Sequence, residues 1–385
     1  MTYAGERQIF DADSHLMELP DYLLRHADPE VRDLLPGFEQ ERLQVEGLRF
    51  AQGVPERDPL AIEKLVALGD RITHGPKWHD ALGSFSGLER GVALDLLGFQ
   101  RQVIFSSFCA GKVFQCEPKL QYAAARAHNR AMAEFCAADA RLMGVAMVPL
   151  DDPDQAVTEI KRLAADGLAA VWVPARAPGG RSPGHPLHEP VWALLESMGL
   201  PFLLHVGSST LSIPDEWMND GRSERMSARG RAEVIGSKDL TVIFQDTLRF
   251  LSVLVLDGVL EQFPKLKGGA IEVGAGWVPD MIRRLDHGAE IWARSEPHLA
   301  TMKRRPSEQI RSQLRFTPYP FEDVGMLIEQ SYPELYLFSS DYPHAEGGRD
   351  PIGRFTRSLS DQSEEVCARF FADNFRELYV GVLQT

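Results

Sequence analysis

Cysteine is scarce: four among 385 residues (Cys109, Cys116, Cys136, Cys367), none in Cys-x-x-Cys spacing. That leaves no disulfide framework and no thiolate metal site to build from, and it suits a reducing compartment such as the cytoplasm. Also missing is any apolar run of about 18 residues, the least that crosses a bilayer as a helix. The first ten residues carry Glu6 and Arg7 where a secretory signal needs an apolar stretch, so no signal is expected. No Lys/Arg block occurs. With 41 Lys+Arg against 55 Asp+Glu the formal net charge is −14, the wrong sign for neutralising nucleic-acid phosphates. No internal repeat or low-complexity tract is visible. These absences point to a cytoplasmic protein with a small-molecule partner, not a membrane or a nucleic acid.

What is present is a rhythm. Short apolar runs recur at Ile9–Asp13, Val103–Phe105, Leu142–Val148, Leu168–Val173, Phe202–Val206, Gly269–Val273, Leu314–Phe316 and Leu335–Phe338. Unbroken runs of this length suit parallel strands buried on both faces. Amphipathic helical stretches separate them, among them Gln121–Asp139, Pro153–Ala165, Leu248–Gln262 and Val278–Asp286. Asp152 before Pro153 is a good helix start, a capping carboxylate ahead of a first-turn proline. Eight strands each followed by a helix is the count of an α/β fold of the (β/α)8 TIM-barrel type, here a single domain over residues 1–385. The connections 16–102 and 207–265, after strands 1 and 5, are several times the usual length. They read as cap or lid insertions on the face where barrel enzymes place their active sites. A doubly wound sheet with an inserted domain is the alternative.

Ligand-type residues fall at the ends of these strands. Period-two alternation puts Asp11, Asp13 and His15 on one face of the first. His205 ends an apolar run, where an imidazole needs a partner or a metal. Asp341 lies just past the eighth strand, and a carboxylate there is costly unless paired, protonated or metal-bound. Each has a plain structural alternative: a helix cap, a satisfied core histidine, an arginine ion pair. Together, Asp13, His15, His205 and Asp341 offer two nitrogens and two oxygens from three strand ends to one divalent ion. Zinc is the first choice, with Mn²⁺ or Fe²⁺ acceptable. The fourth strand has no lysine to bridge a second ion. Glu272, on the sixth strand beside Gly274 and Gly276, reads as a fifth ligand, a general acid/base, a partner of His205, or a salt bridge to Arg283 or Arg284. Cys109 lacks a recognisable base beside it. His74, His79, His185, His188 and His344 lie in expected loops and read as solvent-facing, His344 with a second option of facing substrate.

The segments Phe10-Asp11-Ala12-Asp13-Ser14-His15, Glu18-Leu19-Pro20 and Leu200-Pro201-Phe202-Leu203-Leu204-His205, together with Glu272-Val273-Gly274-Ala275-Gly276-Trp277 and Phe338-Ser339-Ser340-Asp341-Tyr342-Pro343-His344, resemble the amidohydrolase-2 branch of the amidohydrolase superfamily. The resemblance covers nearly the whole chain except about 35–85. It implies a metal-dependent barrel enzyme, commonly a homo-oligomer such as a dimer, in a branch holding aromatic-acid decarboxylases, hydratases and hydrolases. Asp13-x-His15 is similar to the Glu-x-His of the decarboxylases. One departure stands out: Glu272 occupies the place of their catalytic histidine. The expected function is non-oxidative decarboxylation (a carboxy-lyase) of a small aromatic or unsaturated acid, with Asp341 and Glu272 as proton carriers. The alternative is hydrolysis of a lactone, amide or C–C bond by metal-activated water. A non-catalytic, ligand-binding barrel is the third reading.

Overall fold

The computed structural model describes residues 1–38, 48–51, 54–208, 213–221 and 236–383. Among these described residues nine strands are formed: β1 (Phe10–Leu16), β2 (Leu48–Ala51), β3 (Val54–Arg57), β4 (Arg101–Ser106), β5 (Leu142–Met147), β6 (Ala170–Trp172), β7 (Phe202–His205), β8 (Gly268–Ile271) and β9 (Leu314–Phe316). β2 and β3 make a separate antiparallel pair; the other seven form one sheet in the order β1-β4-β5-β6-β7-β8-β9, every neighbour parallel.

The eighth expected strand is not a regular ladder, yet its segment closes the ring. On one side Leu337 N–H donates to Phe316 O; on the other Ala12 N–H donates to Phe338 O, Asp341 N–H to Asp13 O and His15 N–H to Tyr342 O. Single parallel bridges, Phe316 with Tyr336 and Ser14 with Tyr342, mark the seam. The result is the barrel that the strand count predicted.

Alternation divides the core. Val103, Phe105, Val145, Met147, Ala170, Trp172 and Leu203 share one apolar cluster. The residues between them, Ile104, Ala146, Val171 and Leu204, join a second cluster with the helical Ile160, Leu163, Trp192 and Leu254. Strands buried on both faces need apolar side chains at every position, which is why their runs are unbroken.

Helix Pro153–Asp166 begins as read: the Asp152 carboxylate accepts from the N–H groups of Asp154 and Gln155, and Gly167 ends it at φ +69°. Helix Pro118–Cys136 starts three residues earlier than the periodicity predicts, with Pro118 in its first turn. Between β1 and β4 lie the β2–β3 pair, short helices and a 3-10 turn at Trp78–Asp80. Buried Arg57 ties this stretch together, donating to Glu89 and to the carbonyls of His79 and Ala81. Parts of both long connections (39–47, 52–53, 209–212, 222–235) lie outside the described residues. Among those described, no helix is long and apolar enough to cross a membrane.

Candidate metal centre

The C-terminal ends of β1, β7 and β8 and the closing segment deliver their polar side chains to two overlapping clusters that share His15 and Glu272. Asp13, His15, His205 and Glu272 present ligand atoms that all lie within 4.8 Å of one another, and His15, Glu272, Asp341 and His344 form a second such group. His15 Nε2 is 3.3 Å from Asp13 Oδ1, 3.5 Å from Glu272 Oε2 and 3.5 Å from Asp341 Oδ1. His205 Nε2 is 3.5 Å from Asp13 Oδ1 and 3.2 Å from Glu272 Oε2.

Those five atoms (Asp13 Oδ1, His15 Nε2, His205 Nε2, Glu272 Oε2, Asp341 Oδ1) are buried and none has an aligned hydrogen-bond partner. Five converging orphans would each cost about 1–3 kcal/mol left unpaired. Donors held about 2.1 Å from one ion sit about 3.0–3.4 Å apart, from octahedral to tetrahedral geometry. Two of the five spacings, 3.2 and 3.3 Å, fall in that range, and the three at 3.5 Å lie just above its upper end. A nitrogen and carboxylate donor set with no thiolate suits zinc or manganese.

Local structure aims these groups. His205 Nδ1 lies 3.0 Å from Val206 O, so Nδ1 carries the proton and Nε2 keeps a free lone pair. The ring packs on Phe105 and Trp172, with centroids 4.2 and 4.7 Å away. Among described residues, the three non-glycines at left-handed φ are Trp78 (+59°), Glu272 (+54°) and Asp341 (+53°). All three adjoin this centre, the kind of strain that a site imposes on its backbone. Glu272 is held by its N–H donating to Thr317 Oγ1 and by Tyr319 OH donating to its carbonyl. The following glycines shape a turn whose Ala275 and Gly276 N–H groups donate to Glu322.

Alternation on β1 fails where it matters. A register shift between Asp11 and Ser14 turns the Asp11 side chain away from the ligand atoms of Asp13 and His15, leaving it a single 3.4 Å contact with the Asp13 N–H. Its carboxylate instead accepts from Ser340 N–H (2.8 Å), Ser340 Oγ (2.6 Å) and Gln102 Nε2 (2.9 Å), beneath the segment carrying Asp341. Buried Arg90 donates to the carbonyls of His15 and Gly83 and to Gln102.

Electrostatics separate the carboxylates. Burial alone would raise Asp13 and Glu272, but contacts with the imidazoles more than reverse it, so both are lowered, Glu272 strongly. Burial, reinforced by the charge of Glu272, pushes Asp341 up to about 7. Burial works to lower His15, yet Asp13 and Glu272 carry it well above its ordinary value.

The predicted residues therefore gather: Asp13, His15, His205 and Asp341, with Glu272 among them. Arg283 and Arg284 pair with Asp280 rather than Glu272. Burial raises the Cys109 thiol well above its ordinary value, and its N–H donates to Glu18; no reactive thiolate is set up there. Two histidines read as solvent-facing are buried: His188 bonds Leu150 O, and His344 is 1% exposed in the centre itself. The spacing Asp341-x-x-His344 was the one signal for the latter.

The amidohydrolase family model matches residues 114–380. The chain belongs to the amidohydrolase family. It is 27% identical over 232 residues to γ-resorcylate decarboxylase of Rhodococcus jostii (strain RHA1), covering 57% of this chain and 66% of that protein, just under two thirds of its length. Among solved structures, an amidohydrolase from Mycobacterium avium subsp. paratuberculosis K-10 aligns with TM-score 0.73 at 22% identity, over 97% of this chain and 99% of that one. Dihydroxybenzoic acid decarboxylase from Polaromonas sp. JS666, solved with bound manganese and the inhibitor 2-nitroresorcinol, aligns with TM-score 0.59 at 17% identity over 97% of each chain.

Proposed function

We propose that this chain is a metal-dependent decarboxylase of a small aromatic acid. The observation that carries the reading is the set of five buried, unpartnered ligand atoms converging at the C-terminal rim of the barrel. The γ-resorcylate and dihydroxybenzoic acid decarboxylases among its relatives give the substrate class. Asp13, His15, His205 and Asp341 hold one divalent ion, with Glu272 as a further carboxylate. Zinc suits the donor set, and manganese is the ion named for the Polaromonas structure. When bound, such an ion supplies Lewis-acid polarisation and a template for the acid's oxygens.

The chain's own groups supply the proton traffic. The bond between ring carbon and carboxylate breaks, its electron pair stays on the carbon, and CO₂ leaves. In the metal-free centre burial pushes the Asp341 carboxyl up to about 7; through the oxygen not facing an ion it would deliver a proton to that carbon and be recharged from solvent water, while Glu272, kept ionised, would orient it. Two carboxyls pushed apart in this way are suited to different roles. The long connections 16–102 and 207–265 are read as containing cap or lid insertions. Four free cysteines suit a cytoplasmic enzyme, taken here as a homo-oligomer.

Hydrolysis is the second reading, favoured by one observation: an acid, Glu272, stands at the end of β8 where the resembling decarboxylases carry histidine. Incubating the zinc- or manganese-loaded protein with dihydroxybenzoic acids, and separately with lactones and amides, divides the two. CO₂ release without water addition is expected; hydrolysed products with no CO₂ would replace this proposal by the second.

A further inference from the structure

His344 is absent from the ligand set drawn from the sequence, and its surroundings give it a definite protonation pattern. Its Nε2 lies 2.8 Å from Ser107 Oγ. Ser107 has one proton, and its other neighbours are acceptors only: Leu16 O at 2.8 Å and Met17 Sδ at 3.1 Å. The hydroxyl therefore donates to one of those, and must accept from His344 Nε2–H. In the neutral ring this leaves the Nδ1 lone pair free.

That Nδ1 is buried without an aligned hydrogen-bond partner. It lies 3.0 Å from Asp341 Oδ1 and 3.9 Å from Glu272 Oε1, within ligand reach of His15, Glu272 and Asp341. The ring is clamped, stacked on His15 at 3.9 Å on one side and on Trp78 at 4.4 Å on the other. Trp78 holds its strained backbone while its N–H donates to Pro343 O. An imidazole whose far nitrogen donates to an oxygen, so that in the neutral ring the near nitrogen is bare, is the arrangement that metal-binding histidines adopt.

We propose that His344, through Nδ1, is a third imidazole ligand of the centre beside His15 and His205. Ser107 is the residue that fixes its tautomer, and Trp78 the one that fixes its ring plane. The inference rests on the metal-centre reading above and adds to it a ligand from beyond the eighth strand.

The test is the imidazole count around the ion. The full-length chain is stripped with chelator, reloaded with Zn²⁺ and measured by X-ray absorption, with affinity taken by competition against a chromophoric chelator. Three imidazoles are expected in the wild type and two in His344→Gln, with affinity at least about tenfold weaker. Ser107→Ala keeps the ligand but frees its tautomer, and is expected to lose a smaller factor. Two imidazoles in the wild type overturn the role of His344 even if no variant folds, as does unchanged Zn²⁺ affinity in a folded His344→Gln. A wild-type chain that takes up no Zn²⁺ overturns the metal centre itself.

Discussion

Asp11 offers no ligand atom to the ion site, touching it only through the Asp13 N–H from which its carboxylate accepts at 3.4 Å, yet its loss should damage it. The carboxylate is fully buried and takes hydrogen bonds from Ser340 N–H, Ser340 Oγ and Gln102 Nε2. In Asp11→Ala the Ser340 hydroxyl can turn to another acceptor, but Ser340 N–H and Gln102 Nε2 cannot. Two buried donors without acceptors cost about 1–3 kcal/mol each, so the expected loss is about 4 kcal/mol. An unfolding entropy of about 2.1 cal/mol/K per residue converts that to a fall in Tm of about 5 °C for a chain of this length. Asp11→Asn should lose about half as much: its amide oxygen still serves Ser340, while its NH₂ confronts that of Gln102, which cannot flip without abandoning Arg90. Because Ser340 precedes Asp341, zinc affinity should fall with stability, by about tenfold. Calorimetric melting and zinc titration on the same samples check both. If Asp11→Ala melts within a degree of the wild type and binds zinc equally well, Asp11 is not the strut described.

Other outcomes follow from the same geometry. Asp341→Asn and His205→Ala should each lower zinc content in metal analysis of the purified protein and abolish turnover while leaving the circular dichroism spectrum intact. Zinc at about 100 times its Kd should add about 2.7 kcal/mol to stability, read as a rise in Tm of a few degrees that chelator reverses. Gly347→Ala drives a methyl into the carbonyl of Ser340 and against Asp341 Cβ; the backbone must give way, and a drop in both solubility and zinc content is the expected assay result. Buried His128, between Val145 O and Tyr22 OH, is held down to about 4 by burial. Its ordinary value of about 6.5 returns on unfolding, so the unfolded chain binds the extra proton between those limits. Its stabilising contribution is present above about 6.5 and lost as pH falls through 4, about 3 kcal/mol in all. Denaturant titrations of wild type and His128→Gln should therefore converge as pH drops across that window.

Much of the molecule is legible in the order of its residues. Apolar runs flanked by helix signals define strands buried on both faces, and eight such runs define a closed ring, because period and burial are local properties of the chain. The types of the ligand residues at the strand ends are equally local, which is why Asp13, His15, His205 and Asp341 stand out unaided. Three features depended on the fold. The register shift in β1 sends Asp11 beneath the site instead of into it, and a bulge leaves no mark on alternation. Glu272 faces the centre rather than an arginine because the turn after β8 sets it at a left-handed φ, anchored by Thr317 and Tyr319. His344 reads as a loop histidine until Ser107, Trp78 and His15, each from a distant part of the chain, close around it. Sequence fixes what a residue offers within a few positions of itself; which offers meet, and which nitrogen is left bare, is decided where the ring of strands brings its ends together.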